Sequence, residues 1–263
     1  MAEAATAVDR AAFFDWLCRM GDSCLVLGHR VSEWCGHAPV LEEDIALANQ
    51  ALDLIGQCQF WLSLAGEVEG RGRSADDLAY LRDAAQFRNL LLVERPNGDF
   101  GHTLMRQFLF DAFHFEMLRA LEGSADPRVA AIAAKAGKEV AYHLERSADL
   151  VIALGDGSTE SHDRMAAALR ALWPYTGEMF ADDAVDRAMA AAGIAPLPSG
   201  LKPAWAATVA EVLAAATLDH PGEVWQHGVS GAGGGRRGVH SEHLGYILAE
   251  MQFLQRAYPG AVW

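Results

Sequence analysis

The segment from Phe100 to Leu121 most strongly restricts the folds open to this chain, because large apolar side chains cover nearly every face of it. These side chains are Phe108, Leu109, Phe110, Phe113, Phe115, Met117 and Leu118. A helix with this pattern needs other helices around it, so we predict that it lies at the centre of a bundle. The chain has 263 residues, 51% of them hydrophobic, which is enough to bury a large core.

Apolar residues recur at helical spacing through the rest of the chain, whereas strand patterns are weak. We predict helices over residues 8–35, 41–67, 74–93, 100–121, 127–154, 158–180, 182–192, 202–218 and 241–258. Glycine and proline clusters separate these helices, and Pro174 predicts a kink. Two pairs of long antiparallel helices with shorter peripheral ones are typical of an all-α, ferritin-like bundle. We expect a single domain over 1–263, with its core bundle in about 8–181 and its peripheral helices in about 182–263.

Charge and composition argue against several classes of protein. The formal net charge is −14 and no dense basic run occurs, which argues against a nucleic-acid partner. No uncharged apolar run reaches about 18 residues, so we expect no membrane span, and the N-terminus lacks the pattern of a signal peptide. We expect a cytoplasmic protein in which all four cysteines are reduced thiols of the core. These cysteines are Cys18, Cys24, Cys35 and Cys58.

Two helices carry what resembles a metal-binding pair with residues missing. Helical di-iron proteins bind their ions through a Glu-x-x-His pair from each of two helices and one carboxylate from each of two others. The spacing of three residues places both side chains on one helical face. Here Val140 stands three residues before His143, where the glutamate belongs. Leu54 and Gln57 occupy the second such pair, so neither the glutamate nor the histidine is present.

Two interpretations of this region remain open from the residues alone. A complete di-metal oxidase site would use Glu33, Asp111, His114, Glu139 and His143. The alternative, which we favour, is a metal-free core in which these residues, Glu139 excepted, hydrogen-bond one another. Leu54 cannot bind a metal, and Gln57 offers only a weak neutral oxygen. Gln57 also belongs to a polar stripe at helical spacing, within which it can hydrogen-bond. That stripe comprises Glu43, Ala46, Gln50, Asp53 and Gln57.

Three shorter motifs indicate structure more than chemistry. Residues 231–238 resemble a phosphate-binding loop only in glycine content, so we predict a surface loop, although Arg236 and Arg237 could meet an anionic ligand or partner. The Ser-His-Asp run at 161–163 has the residue types of a catalytic triad, but consecutive residues do not converge in that geometry. The serine in 240–243 predicts the N-cap of the last helix.

Five long stretches together resemble one known family. They are LGHRVSEWCGHAP (27–39), LDLIGQ (52–57), NLLLVERPNGDF (89–100), KEVAYHL (138–144) and HSEHLGYILAEMQFLQR (240–256). The family is that of the C subunit of bacterial phenylacetyl-CoA epoxidase, and the resemblance extends over about residues 25–263. It implies a ferritin-like fold and a partner, the catalytic A subunit, which is similar in fold and keeps the di-iron ligands.

The resemblance also implies which residues of this chain stand at the positions of the metal ligands in the A subunit. Glu33 stands where the A subunit has its first glutamate, Asp111 at its remaining carboxylate, and His143 at its second histidine. Glu33 and His143 would be survivors of a site, kept for hydrogen bonding and not for iron.

The other positions have lost their ligands. Leu54 and Gln57 stand where the A subunit has a glutamate and a histidine, and Val140 where it has the second glutamate. The resemblance therefore implies a chain without catalytic, cofactor-binding or metal-binding residues.

The implied function is that of a structural subunit in a multicomponent monooxygenase of aerobic phenylacetate catabolism. The assembly would epoxidise the aromatic ring of phenylacetyl-CoA, with di-iron in the A subunit, and with flavin and an iron–sulfur centre in a separate reductase. This chain would form a heterodimer with the A subunit, and such dimers would form larger assemblies without nucleic acid or membrane. We expect the first two helices, which carry Trp34 and Trp61, to contribute to the interface.

Overall fold

The computed structural model describes residues 8–222 and 234–261, and within these ranges every regular element is helical. The α-helices of the described ranges are α1 (Arg10–Ser32), α2 (Leu41–Glu69), α3 (Ala75–Tyr80), α4 (Leu91–Glu94), α5 (Phe100–Leu121), α6 (Pro127–Gly155), α7 (Thr159–Leu172), α8 (Ala184–Ala191), α9 (Lys202–Ala215), α10 (Glu242–Met251) and α11 (Phe253–Ala257). Short 3-10 helices span Ala84–Gln86, Trp173–Phe180, Pro198–Leu201 and Gly235–Arg237. The prediction of an all-α chain is confirmed.

Four long helices form the core as two antiparallel pairs. α1 packs along α2, and α5 packs along α6, while α2 also contacts α6. The guanidinium of Arg10 at the start of α1 donates to the carbonyl oxygen of Val68 at the end of α2, at 2.7 Å, as antiparallel packing requires. α7 and α9 cover the α5–α6 pair. This arrangement is that of a ferritin-like bundle, as predicted.

Two helices share the centre of the bundle. α5 is buried over most of its length, as its phenylalanine content predicts, and α1 is buried without interruption from Trp16 to Gly28. Gly21 allows α1 to approach α2 closely, because a Cβ atom at this position would lie 2.7 Å from the Leu62 side chain. Trp61 of α2 is fully buried against Trp16 of α1, so its side chain belongs to the core of the subunit. The expectation that the first two helices contribute to a subunit interface stays a prediction.

The predicted helix over residues 74–93 is wrong, because it is broken into α3, a 3-10 turn and α4. The cause is the carboxylate of Asp22, which is fully buried on α1. It accepts a hydrogen bond from the guanidinium of Arg82 at 3.0 Å and another from the backbone N–H of Arg88 at 2.8 Å. A continuous helix would not present both donors to one carboxylate, so the chain bends around Asp22.

Two other predicted helices are interrupted. The helix expected over 158–180 is α-helical only to Leu172, and the 3-10 segment that follows contains Pro174, which lacks a backbone N–H. The helix expected over 241–258 is divided at Gln252. The side-chain amide of Gln252 donates to the carbonyl oxygens of Ala79 and Arg82, at 3.1 and 3.0 Å. This contact fixes the C-terminal helices against the end of α3.

The four cysteines are free thiols, and the prediction that all of them lie in the core is wrong for Cys35, which is exposed. Cys18, Cys24 and Cys58 are buried, and burial raises the pKa of Cys18 to about 12, which keeps it a thiol. Across 8–222 and 234–261, none of the helices combines the length and the apolar character needed to cross a bilayer.

Replacing Asp22 should strongly destabilise the fold. Asp22→Ala leaves the guanidinium of Arg82, only 3% exposed, without its partner, and losing one member of a buried ion pair costs about 3–5 kcal/mol. Urea unfolding followed by circular dichroism measures this loss. Asp163→Ala, at an exposed position on α7, should change the free energy of unfolding by less than about 0.5 kcal/mol. Equal effects of the two substitutions would contradict the role given to Asp22.

Candidate functional site

Five of the six positions that correspond to metal ligands lie in the bundle interior, and one does not. The interior positions are Leu54, Gln57, Asp111, Val140 and His143, each less than 3% exposed. They come from α2, α5 and α6, whose buried faces meet there.

Glu33 lies outside this group, so the prediction that it belongs to the core is wrong. α1 ends at Ser32, and Glu33 is its C-cap residue with a side chain 43% exposed. Its carboxylate accepts hydrogen bonds from Arg30 at 3.0 Å and from the side-chain amide of Asn97 at 2.8 Å. The helix was predicted three residues too long, and the surplus turn would have placed Glu33 on a helix face.

Leu54 and Val140 fill the space where carboxylates would be needed for metal binding. Both side chains are 0% exposed and belong to the continuous hydrophobic core. Burying an aliphatic side chain of this size stabilises the fold by about 1.5–3 kcal/mol. Both positions therefore contribute packing contacts to the core.

Gln57 donates a hydrogen bond to a carboxylate that could otherwise bind a cation. Its side-chain amide donates to Oε2 of Glu139 at 2.9 Å, across the α2–α6 boundary. The thiol of Cys24 lies 3.9 Å from the Gln57 side-chain oxygen. Glu139, the residue that a di-metal site would recruit one position away, is therefore engaged by an amide N–H.

Asp111 is enclosed by polar side chains of its own bundle. Gln107 donates to one carboxylate oxygen at 2.9 Å, Ser147 to the other at 3.0 Å, and Gln50 approaches the latter at 3.5 Å. Burial raises the pKa of Asp111 to about 6, against the lowering effect of nearby His143 and of these hydrogen bonds.

The two histidines do not join Asp111. Nε2 of His143 lies 2.9 Å from Oδ2 of Asp53, while in the described part of the chain both ring nitrogens of His114 lack a hydrogen-bond partner. Burial lowers the pKa of His114 to about 3, so this imidazole stays neutral, and its ring packs edge-on against Phe110. The prediction that Glu33, Asp111, His114 and His143 hydrogen-bond one another is wrong.

The residues present do not fit two metal ions. Within residues 8–222 and 234–261, no three His, Cys, Asp or Glu side chains come together in an arrangement that could hold one ion. A di-iron centre needs four carboxylates and two imidazoles on one cavity. Here two of the required side chains are aliphatic, one is an amide, and Glu33 is on the surface.

A series of side-chain contacts, which we call the polar ladder, joins α2 to α6 around these positions. From the sequence, only the residues on α2 were identified. The contacts are Glu43–Arg146, Asp53–His143, Gln57–Glu139, Phe60–Lys135 and Glu67–Arg128. The polar stripe on α2 was visible in the sequence. Basic and polar residues at helical spacing on α6 were the matching signal, and antiparallel register pairs the two sets.

The arginine after the glycine-rich segment is not available to an anionic ligand. Arg236 is largely buried, donates to the carbonyl oxygen of Ala181 at 2.9 Å, and forms an ion pair with Asp186. Arg237 is partly exposed and lies 3.7 Å from Asp183. Residues 231–233 of the predicted surface loop lie outside the described residues.

The remaining motifs serve the fold. Nδ1 of His162 lies 2.8 Å from the carbonyl oxygen of Gly155, so residues 161–163 form no triad, as expected. Ser241 is the N-cap residue of α10, as predicted, but its hydroxyl donates to Glu94 at 2.6 Å and does not cap the helix. His240 also contacts Glu94, at 2.6 Å, which anchors the C-terminal helices to α4.

Asp111 should make stability depend on pH in a defined direction. Its pKa in the folded protein, about 6, exceeds the ordinary value of 3.8, so the folded state retains a proton that the unfolded state has released between about pH 4 and pH 6. Its contribution to the free energy of unfolding therefore falls as pH rises through this window, by about 3 kcal/mol in total.

Asp111→Asn removes this contribution. As pH rises from 4 to 7, the free energy of unfolding of the variant should therefore increase by about 3 kcal/mol relative to that of the unmodified protein. Urea unfolding at several pH values measures the difference, which cancels the contributions of other groups. Asp163→Asn, at an exposed position, should show no such trend. Parallel stability curves for Asp111→Asn and the unmodified protein would disprove the assignment.

Comparison with known proteins agrees with the resemblance drawn from the sequence. A family model described as phenylacetic acid catabolic protein matches residues 1–263. The C subunit of the 1,2-phenylacetyl-CoA epoxidase of Escherichia coli (strain K12) is 49% identical over 245 residues, which cover 93% of this chain and 96% of the relative. The chain belongs to the phenylacetic acid catabolic protein family.

Proposed function

We propose that this chain is a subunit of a phenylacetyl-CoA 1,2-epoxidase of phenylacetate catabolism, and that it supports the reaction without performing it. Its membership in such an enzyme complex follows from its similarity to the C subunit of an epoxidase along nearly its whole length. The observation that supports a non-catalytic role is the filled interior, where Leu54 and Val140 are fully buried at two carboxylate positions.

The chemistry of iron is the reason these losses matter. Carboxylates offset the charge of two cations, and neither aliphatic side chains nor an amide can do so. The carboxylate of Asp111 faces Gln107 and Ser147, and that of Glu139 faces Gln57, so both are satisfied within the subunit. These contacts favour a chain that has adapted to the loss of metal.

The alternative function, a di-metal oxidase in its own right, has less support. It would need Glu33, Asp111, His114, Glu139 and His143 on one cavity. Glu33 is a partly exposed helix cap bound to Asn97, and the imidazole of His114 shares no hydrogen bond with Asp111. The donor set is therefore dispersed.

The role we infer is to pair with the catalytic A subunit and to stabilise it. A bundle with a filled interior offers a rigid surface, and a partner that opens a metal cavity in its own core gains order from docking against it. The di-iron centre would then belong to the A subunit, and the flavin and iron–sulfur centre to the reductase. Such an assembly would work in the cytoplasm.

Hydrogen exchange tests the stabilising role. Amides of the catalytic subunit should exchange more slowly when this chain is bound than when it is absent, because docking raises the free energy of local opening. An unchanged exchange pattern in a complex that forms would contradict this role.

Metal analysis tests the non-catalytic assignment. Elemental analysis of the purified chain should find iron and manganese far below one ion per chain, while the complex with the A subunit should carry iron.

Leu54→Glu should lower the free energy of unfolding by several kcal/mol, because it buries a carboxylate without a partner. Added iron should not restore this loss of stability. Leu54→Met conserves the side-chain volume and should lower the free energy of unfolding by less than about 1.5 kcal/mol. Two ions per unmodified chain would overturn the proposal.

A further inference from the structure

One face of the bundle carries large apolar side chains that the subunit itself does not cover. On α2, Leu41, Ile45 and Leu52 are 71%, 53% and 70% exposed, and their spacing places them on a single helical face. On α6, Tyr142 is 60% exposed. We call this surface, formed by the outward sides of α2 and α6, the α2–α6 face.

The polar ladder fixes how the two helices align on this face. Asp53 contacts His143 and Gln57 contacts Glu139, so the helices are antiparallel and position 54 of α2 is level with positions 141–142 of α6. Leu52 and Tyr142 therefore lie at nearly the same height. They form the centre of an apolar patch, and Ile45 and Leu41 continue it along α2.

Gly56, one turn after Leu52, has no explanation within the subunit. It lies inside a 29-residue helix, where glycine is less favourable than alanine, yet a Cβ atom at this position would meet nothing within 4 Å. Gly21 differs, because a Cβ atom there would collide with Leu62. Close approach by another chain would give Gly56 a comparable steric reason.

The charges on the outward side of α6 are arranged by sign. The exposed residues Lys135 and Lys138 precede Tyr142, and the exposed residues Glu145 and Asp149 follow it. Lys138, Glu145 and Asp149 form no ion pair within the described part of the chain, and the ammonium of Lys135 lies over the ring of Phe60. On this side of α6, the basic and the acidic residues therefore lie at similar distances before and after Tyr142.

We propose that the α2–α6 face binds a second copy of this chain across a two-fold axis that runs perpendicular to the helices at this level. The axis places Lys138 opposite Glu145 of the partner subunit, and Lys135 opposite Asp149 of the partner subunit. It also places Leu52 opposite Gly56 of the partner subunit. All three pairings share one axis, because the midpoint of each falls at position 54 of α2 or at its level on α6.

A second copy fits this face better than an unrelated partner does. A two-fold contact pairs a surface with itself, so it requires a patch whose charges become complementary on rotation. The charges of α6 meet this requirement. On α2, the exposed side chain of Leu52 would lie over the open surface at Gly56 of the partner subunit, which makes the two surfaces complementary in shape. Self-association is separate from docking to a catalytic subunit, so either can fail without the other.

Sedimentation velocity of the purified full chain over a concentration series tests the proposal. The unmodified chain should form a dimer, and Leu52→Arg should leave it monomeric. Lys138→Glu and Glu145→Lys should each raise the dissociation constant at least about tenfold, because each places like charges opposite one another. The double variant Lys138→Glu/Glu145→Lys restores opposite charges across the axis and should recover most of the affinity.

Tyr258→Ser provides the matched control, since Tyr258 is 59% exposed but lies beyond α11, beside α3. It should dimerise like the unmodified chain, and circular dichroism should show that all variants are folded. A monomer at every concentration would overturn the proposal, as would a double variant no better than the single ones. A chain that is monomeric alone but loses binding to the catalytic subunit on Leu52→Arg would assign this face to that subunit.

Discussion

The fold depends on two charges that α1 carries into the interior. Arg19 and Asp22 lie one turn apart and are 7% and 0% exposed, so each must be paired to offset its loss of hydration. Asp22 holds the segment around Arg82, and Arg19 binds Asp183 at the start of α8, at 2.8 Å. Burial alone would raise the pKa of Asp183, but the hydrogen bond from Arg19 outweighs it and holds that pKa well below its ordinary value. The segments beside the four long helices are thus attached to the centre by charge as well as by packing.

The same principle, direct pairing of polar side chains, joins α2 to α6. In a di-iron protein, ligands from different helices are joined through the ions. Here the polar ladder performs that task between α2 and α6, because Asp53 meets His143 and Gln57 meets Glu139 directly. Arg146 extends the ladder by pairing with Glu43. These direct contacts hold α2 against α6, while aliphatic side chains fill the space between the helices.

Local signals predicted the helices well and the polar contacts poorly. The long helices α2, α5 and α6 follow from apolar spacing and from Pro and Gly at their ends, because these are properties of neighbouring residues. The break within 74–93 depends on Asp22, some 60 residues earlier, and no local pattern reports it. Glu33 was misplaced because a helix end was set three residues late. The absence of a Glu-x-x-His pair was readable from spacing, whereas the partners of the buried polar groups required tertiary structure.

The side chains around Asp111 offer little electrostatic attraction to divalent ions. Leu54 and Val140 are aliphatic, and burial raises the pKa of Asp111 to about 6, which disfavours its charged form. Burial lowers the pKa of His114 to about 3, so this imidazole contributes no positive charge. The carboxylate of Asp111 receives its hydrogen bonds from neutral donors, Gln107 and Ser147. With aliphatic side chains at positions 54 and 140, this part of the interior offers few charged oxygens to two divalent ions.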